Sequence, residues 1–155
     1  MKILAALDRS DDSKLAVAEI ARRPWPEGSE LKLVHVEAFP FIVTDVMGVG
    51  GAAARTSLAN EVSRDTEILD QYANTIRAGS SAGALSITTE VITASPTQST
   101  AEVIVDEAKS FGADLIVVGS RGHSTWRQLL LGSVSNAVVH HAPCSVEIVR
   151  AKLTK

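Results

Sequence analysis

The sequence has few aromatic residues and a single cysteine, and both scarcities narrow the class of protein. Aromatic residues make up only 4% of the 155 residues, so a hydrophobic core has to be built from Ala, Val, Ile and Leu. That composition favours a packed α/β sheet over a β-sandwich, and the length is that of a single domain. The one cysteine, Cys144, excludes an internal disulfide and is typical of a reducing compartment.

The sequence also lacks a block of lysine and arginine and a long apolar run. The formal net charge is −3, whereas a nucleic-acid-binding surface usually shows as a basic face. A membrane-spanning helix needs about 18 apolar residues, and no run in the sequence approaches that length. The opening MKILAALDRSDD contains too few apolar residues for a signal-peptide core. We therefore expect a cytoplasmic protein that binds neither nucleic acid nor a membrane.

Short runs rich in Val, Ile and Leu alternate with longer segments of helical periodicity. The first helical segment follows Ser10, a favourable N-cap, and ends before Pro24; the others cover about residues 56–78, 97–109 and 133–140. Helices of this length between consecutive strands imply right-handed crossovers and a parallel sheet covered on both faces. The predicted strands are Ile3–Leu7, Leu31–Val36, Ile87–Ile92, Leu115–Val118 and Val146–Val149.

The glycines within residues 44–54, TDVMGVGGAAA, predict a flexible loop rather than a dinucleotide site. The stretch from Gly48 to Ala53 fits the pattern GxGxxA, but about a dozen residues separate it from the preceding strand. The true fingerprint needs a strand that turns at once into a helix, with an acid at the end of the next strand. The sequence also contains no GxxxxGK[ST] phosphate loop, and neither Ser120 nor Ser133 has the flanking glycines of a GxSxG nucleophile elbow.

The four histidines do not predict a metal site. His35 lies inside a predicted strand, where a core histidine with satisfied hydrogen bonds is the better interpretation. His140 and His141 close the last predicted helix, where a cation interacts favourably with the helix dipole. Cys144 is expected to be a buried, inert thiol.

The segment 119–135, GSRGHSTWRQLLLGSVS, directly follows the fourth predicted strand. A strand-to-helix connection needs only about 2–6 residues, whereas 13 residues separate Gly119 from Ser133. One interpretation is a long linker in which Ser133 merely caps the helix. The other is an anion site made of glycines, unpaired amides at the helix N-terminus and a hydroxyl, and the excess length favours it. The basic residues of the segment are Arg121, His123 and Arg127.

This segment resembles the nucleotide-binding branch of the universal stress proteins, which carries G-x2-G-x9-G-[ST]. The matching residues are Gly119, Gly122, Gly132 and Ser133. The opening ILAALDRSDDS, the second strand LKLVHVE and the C-terminal half are similar to the family as well. The resemblance implies a single Rossmann-like domain over residues 1–155, with an open five-stranded parallel sheet of order 3-2-1-4-5. Asp8 and Gly119 would then be neighbours at the point where the strand order reverses.

The resemblance also implies a role for each residue around that crevice. Asp8 would contact the ribose hydroxyls, with a metal beside the phosphates as the second possibility and capping of the first helix as the third. Ala6 and Val36 would line the adenine pocket, residues 119–122 would pass the ribose and α-phosphate, and residues 132–134 would meet the β- and γ-phosphates. The complete implied site is Ala6, Asp8, Val36, Gly119, Ser120, Arg121, Gly122, His123, Gly132, Ser133 and Val134.

Three functions are compatible with the resemblance. The first is a stress-response or signalling module that binds ATP (or ADP or AMP), with Mg²⁺ bridging the phosphates. Its hydrolysis would be slow or absent, since no residue pair is arranged as an activated nucleophile; a cyclic nucleotide would fit the same pocket. The second is a genuine ATPase or phosphotransferase, and the third is a partner-binding stress protein that needs no nucleotide. The family also implies a homodimer that pairs through the last strand, Ser145–Arg150.

Overall fold

The computed structural model describes residues 1–38, 51–79, 85–121 and 131–151, with the side chains of residues 51–58 outside that description. Strands and helices alternate along the chain, as the periodicity of the sequence predicts. The strands are β1 (Lys2–Ala6), β2 (Glu30–Glu37), β3 (Ser86–Thr93), β4 (Leu115–Gly119) and β5 (Ser145–Val149). The helices are α1 (Asp11–Arg22), α2 (Gly51–Ala78), α3 (Thr100–Phe111) and α4 (Ser133–His141).

The strands form one parallel sheet of order β3-β2-β1-β4-β5, which confirms the predicted fold and strand order. In the centre, Ala6 of β1 pairs with Val34 of β2 on one side and with Val118 of β4 on the other. The chain order of the strands reverses between β1 and β4. Open parallel sheets bind ligands beyond the carboxyl ends of their strands at this switch point.

Helices cover both faces of the sheet, and alternate residues of the central strands supply the two halves of the core. Ile3 and Val117 pack with α1 and α2 on one face, whereas Leu4 and Ile116 pack with α3 and α4 on the other. All four side chains are buried. The two clusters consist mainly of Ala, Val, Ile and Leu, as the scarcity of aromatic residues predicts.

Local sequence signals set the ends of the helices. The Ser10 hydroxyl accepts a hydrogen bond from the Ser13 amide at 3.2 Å and caps α1, as predicted. Ser99 and Glu102 form a capping box, so α3 begins a few residues later than its periodicity alone suggests. Gly112 ends α3 in the left-handed conformation, with φ 70°.

Helix α2 begins about five residues earlier than the sequence predicts. Residues 51–54, GAAA, belong to its first turn rather than to the predicted flexible loop, because alanine has the highest helix propensity of all residues. Residues 44–50 of that loop lie outside the described part of the chain. Among the described helices, including α2 with its 28 residues, none combines the length and the hydropathy that a membrane-spanning segment needs.

Candidate functional site

An open crevice of about 320 Å³ lies at the carboxyl ends of β1, β2 and β4, beside the first turns of α3 and α4. This is the switch point of the sheet, where the topology predicts a ligand. Eight of the eleven residues implied by the sequence line the crevice: Ala6, Asp8, Val36, Gly119, Arg121, Gly132, Ser133 and Val134. The other lining residues are Leu7, Ser13, His35, Thr100, Ile104, Val118 and Ser135.

Part of the crevice is apolar. Ala6, Val36 and Val118 stand on three neighbouring strands, and Ile104 of α3 lies against the same hydrophobic cluster. Small aliphatic side chains on a sheet leave a slot that is weakly polar and open at one side. Such a slot suits a planar, largely apolar group such as a purine base.

Asp8 follows β1 and is held in place by the start of α1. Its Oδ1 accepts hydrogen bonds from Ser13 Oγ at 2.6 Å, from the Ser10 amide at 3.0 Å and from Ser10 Oγ. Its backbone carbonyl accepts a hydrogen bond from the Tyr72 hydroxyl at 3.1 Å. Asp8 therefore supports the helix cap through Ser10 rather than capping α1 itself, and these contacts fix it at the crevice.

We expect Tyr72→Phe to lower the free energy of unfolding by about 0.5–1.5 kcal/mol, the usual net contribution of one hydrogen bond. Burial raises the pKa of Tyr72, so its hydroxyl remains a donor well above neutral pH. Urea unfolding of both proteins measures the difference. A variant as stable as the wild type would show that the hydroxyl does not support the turn at Asp8.

Helix α4 begins without a side-chain cap. Gly132 occupies the N-cap position, and its own amide donates to the Ser120 carbonyl at 2.8 Å, so this amide is already engaged. Ser133 makes no cap either, which argues against the linker interpretation of the segment. The amides of Ser133, Val134 and Ser135 have no intrahelical acceptor because of their position, and they lie at the positive end of the helix dipole.

Arg121 adds positive charge to the same crevice. Its Nε is buried, and none of the described residues accepts a hydrogen bond from it. A buried donor without an acceptor costs free energy, and the cost is larger for a charged group. A bound anion would provide the acceptor that this guanidinium lacks.

Ser120 does not line the crevice, although the family resemblance implies that it belongs to the nucleotide site. It is 1% exposed, and its hydroxyl donates to Asp12 Oδ2 at 2.6 Å. Its amide donates to the Val149 carbonyl at 2.7 Å, and its carbonyl accepts from the Gly132 amide. Ser120 therefore ties the segment after β4 to α1, β5 and α4.

Gly119 is needed for packing rather than for an unusual backbone conformation. A Cβ atom at this position would lie 3.1 Å from Asp12 Cβ and 3.3 Å from the Asp12 carbonyl carbon, both in α1. Among the described glycines, only Gly28 and Gly112 have a positive φ, so neither Gly119 nor Gly132 adopts a left-handed backbone. The predicted residues Gly122, His123 and Arg127 lie outside the described residues.

The comparisons with known proteins agree with this arrangement. The model of the universal stress protein family matches residues 1–150. The universal stress protein YxiE of Bacillus subtilis is 30% identical over 158 aligned positions, covering 96% of this chain and 98% of YxiE. The chain belongs to the universal stress protein family. A shorter match, 56% identical over 50 residues, links it to universal stress protein A homolog 2 of Coxiella burnetii, covering 32% of this chain and 34% of that protein.

Solved structures of the family share the fold over nearly the whole chain. The universal stress protein UspA from Lactobacillus plantarum superposes with a TM-score of 0.76 at 24% identity, covering 97% of both chains. A universal stress protein solved in complex with cAMP has a TM-score of 0.61 at 25% identity and covers 97% of this chain and 96% of its own. Family members from Arabidopsis thaliana and Archaeoglobus fulgidus, solved with AMP and dAMP respectively, share the fold at 20% and 19% identity.

Within the family fold, sequence reasoning misses several residues of the crevice. Thr100 and Ile104 stand one turn apart on α3 and face the sheet, a signal that the i, i+4 spacing carries. Ser135 follows the glycine motif directly and sits in the first turn of α4. His35 also lines the crevice and shares one face of β2 with Glu37, which does not line it; the contact of both with α2 depends on tertiary packing and leaves no local signal.

His35 is only partly explained by the prediction of a satisfied core histidine. Its Nδ1 lies 2.8 Å from the Leu7 carbonyl, which agrees with that prediction. Its Nε2 lies 3.5 Å from Glu37 Oε2 and 3.4 Å from Asp65 Oδ2, so two carboxylates converge on it. Burial raises the pKa of Glu37, and the neighbouring carboxylates of Asp65 and Glu61 raise it further.

Cys144 is only partly buried, so the predicted burial of its thiol holds in part. Burial raises the pKa of its thiol, and the negative charge of Asp114 adds to the effect. A raised pKa lowers the thiolate fraction, and the thiolate is the reactive form. We expect native Cys144 to react with a disulfide reagent at pH 8 about tenfold or more slowly than the unfolded chain does. Equal rates in the native and denatured states would contradict this expectation.

Proposed function

We propose that this protein binds an adenine nucleotide in the crevice and acts as a nucleotide-dependent stress-response or signalling module. ATP is the ligand we assign, with ADP and AMP as its smaller forms. One observation supports this most directly: the apolar slot opens onto the uncapped N-terminus of α4 and onto the buried Nε of Arg121, for which none of the described residues is an acceptor. A ligand with an apolar ring at one end and phosphates at the other matches both halves.

In this proposal the base lies in the apolar part of the slot against Ala6 and Val36, and the ribose lies near Asp8. The phosphates approach Arg121 and the first turn of α4, where Ser133 and Val134 offer amides and one hydroxyl. By sequence, Gly122 completes the family motif and His123 follows it as a basic residue. Ser120 and Gly119 keep a positioning role, because their contacts are with the protein itself.

The universal stress protein solved with cAMP supports an adenine nucleotide as the ligand class, since it is 25% identical over 97% of this chain. It also makes a cyclic nucleotide the main alternative to ATP within the same crevice. The two ligands differ in the phosphates they present. A preference for ATP over cAMP requires that the amides of α4 contact phosphates beyond the first.

Mg²⁺ would accompany a bound triphosphate. The crevice lining offers hydroxyl and carboxylate oxygens, such as those of Ser133 and Asp8, which are hard ligands of the type Mg²⁺ prefers. Mg²⁺ usually keeps several waters and phosphate oxygens in its coordination shell, so few protein ligands are required.

Hydrolysis is proposed to be slow or absent. Phosphoryl transfer needs a group that orients the attacking water. Among the described residues of the crevice, Asp8 Oδ1 is committed to the start of α1, and His35 Nε2 faces two carboxylates. Single-turnover assays with ATP and Mg²⁺ should therefore show loss of ATP far slower than its dissociation. Turnover at typical enzyme rates would favour a genuine ATPase or phosphotransferase instead.

Ligand release tests the proposal with the native protein. We expect protein purified without added nucleotide, then denatured and analysed by chromatography, to release an adenine nucleotide. Protein that is empty on purification and does not bind ATP, AMP or cAMP afterwards would favour the nucleotide-independent alternative. The released species also distinguishes ATP from a cyclic nucleotide.

We also propose a homodimer that pairs through β5. This strand stands at the edge of the sheet, and parallel edges present unpaired backbone groups that readily accept another strand. Light scattering after gel filtration is expected to give twice the monomer mass of 16.4 kDa. A mass equal to the monomer at all concentrations would contradict pairing through this edge.

A further inference from the structure

We propose that His35, Glu37 and Asp65 bind a divalent transition-metal ion such as Zn²⁺. One ligand atom from each residue can be chosen so that all three lie within 4.8 Å of one another. Strand β2 supplies His35 and Glu37 two residues apart, hence on one face, and α2 supplies Asp65. The histidines did not predict a metal site in the sequence, because the third ligand comes from a distant helix.

The tautomer of His35 leaves its second nitrogen available to a metal. The Leu7 carbonyl can only accept, so the Nδ1 atom 2.8 Å from it carries the proton. In the neutral imidazole, Nε2 then presents a lone pair towards Glu37 and Asp65. A histidine that donates its other nitrogen to a backbone carbonyl is the usual arrangement of a metal-bound histidine.

The buried carboxylate of Asp65 points independently to a cation site. Its side chain is 2% exposed, and none of the described residues donates a hydrogen bond to its buried Oδ2. The other oxygen, Oδ1, accepts from Arg9 Nε at 2.9 Å and from Arg9 Nη2 at 2.6 Å. One carboxylate oxygen is thus fixed by Arg9, and the other faces His35 and Glu37.

The two distances from His35 Nε2 fit a metal better than a shared proton. Charge-assisted N–H···O bonds are about 2.7–2.9 Å long, whereas His35 Nε2 lies 3.4 Å from Asp65 and 3.5 Å from Glu37. With metal–ligand bonds of about 2.0–2.1 Å, two ligand atoms of a tetrahedral site lie about 3.3–3.4 Å apart. A single N–H also cannot point at both carboxylates.

The charge of the surroundings also favours a cation. Glu61, one turn before Asp65 on α2, lies close enough to Glu37 to hydrogen-bond with it. When ionised, these three carboxylates face one guanidinium, that of Arg9, so the cluster carries excess negative charge. One imidazole and two carboxylates form a ligand set suited to Zn²⁺ and similar ions rather than to Mg²⁺, which prefers oxygen.

Such a site would cross-link the end of β2, helix α2 and, through Arg9 and Leu7, the turn after β1. Because His35 also lines the crevice, the metal would stiffen one wall of it. Binding to the folded state alone raises stability in proportion to the logarithm of metal concentration. Metal addition is therefore expected to raise the melting temperature.

The test is a calorimetric titration of tag-free, chelator-treated, nucleotide-free full-length protein with ZnCl₂. We expect one Zn²⁺ per chain and an affinity at least about tenfold lower in His35→Gln, since a ligand is lost. His140→Gln is the matched control, because it removes an exposed histidine at the end of α4 and should leave affinity unchanged. Glu37→Gln, checked for folding by circular dichroism, should lose the rise in melting temperature that Zn²⁺ gives the wild type.

Three results would overturn the proposal: no Zn²⁺ binding by the wild type, equal affinity in His35→Gln, or loss of binding in His140→Gln instead. ¹⁵N NMR of the imidazole separates a metal from a proton. A shift of His35 Nε2 on adding Zn²⁺ supports the site, whereas a doubly protonated ring that ignores Zn²⁺ contradicts it. Because nucleotide is absent throughout, failure here leaves the proposed nucleotide function untouched.

Discussion

Ser133→Pro is expected to weaken ATP binding by about 10- to 150-fold while leaving the fold intact. Ser133 is the first residue of α4, the position where proline fits a helix best, because the missing amide has no intrahelical partner there. Gly132 before it has φ −60° and ψ 157°, an extended conformation that proline tolerates. The substitution therefore removes one backbone donor and one hydroxyl from the proposed phosphate site. One hydrogen bond to a charged group contributes about 1.5–3 kcal/mol, so the loss of even one of these two donors corresponds to this loss of affinity.

Two comparisons make this result specific. Ser133→Ala keeps the amide and removes the hydroxyl, so the difference between the two variants isolates the backbone contribution. Adenosine has no phosphate, and its affinity should be the same for wild type and Ser133→Pro. Calorimetry measures all of these affinities. If Ser133→Pro binds ATP as tightly as wild type, the phosphates do not lie at the start of α4.

Gly119→Ala is expected to lower the free energy of unfolding by about 1–3 kcal/mol, the usual cost of overpacking. The added Cβ would lie 3.1 Å from Asp12 Cβ, closer than side chains normally pack. Asp12 cannot easily move away, because its carboxylate accepts hydrogen bonds from Ser120 Oγ at 2.6 Å and from the Ala151 amide at 3.3 Å. Urea unfolding of both proteins measures this loss directly, provided that the slope of the free energy of unfolding against urea concentration is the same in both.

Gly132→Ala is the matched control for this effect. A Cβ atom there would meet its nearest neighbours, the Ser120 carbonyl oxygen, Arg121 Cα and Ser135 Oγ, at 3.4–3.5 Å, an ordinary contact. Its stability should stay within about 1 kcal/mol of wild type, since a tolerated alanine also restricts the unfolded chain. Equal losses in both variants would show that the two glycines share a backbone requirement, and that packing against α1 does not explain Gly119.

The fold was predictable because its signals are local. Apolar runs such as Leu115–Val118 are short and continuous, which is typical of strands buried on both faces. Serine is a favourable N-cap and Ser10 directly precedes a helical pattern, so the start of α1 could also be predicted. The start of α2 could not be predicted. The GAAA stretch of residues 51–54 combines a glycine, which is typical of a loop, with alanines, which favour a helix, so the pattern fits both structures.

The candidate site could be predicted only in part. Strand ends locate Asp8 and Gly119, and the glycine motif locates Ser133, because topology brings these ends together. The reason for glycine at position 119 depends on Asp12, which packs against it from a different helix. The burial of Ser120 and the contact of His35 with α2 depend on tertiary packing in the same way, and sequence spacing does not encode them.

We propose that the crevice at the switch point of the sheet holds an adenine nucleotide. Calorimetric titration of ligand-stripped wild-type protein with ATP in the presence of Mg²⁺ tests it most directly. We expect saturable binding of one ATP per chain, weakened in Ser133→Pro and unchanged in His140→Gln. Absence of binding by the wild type, for ATP and equally for AMP and cAMP, would contradict it.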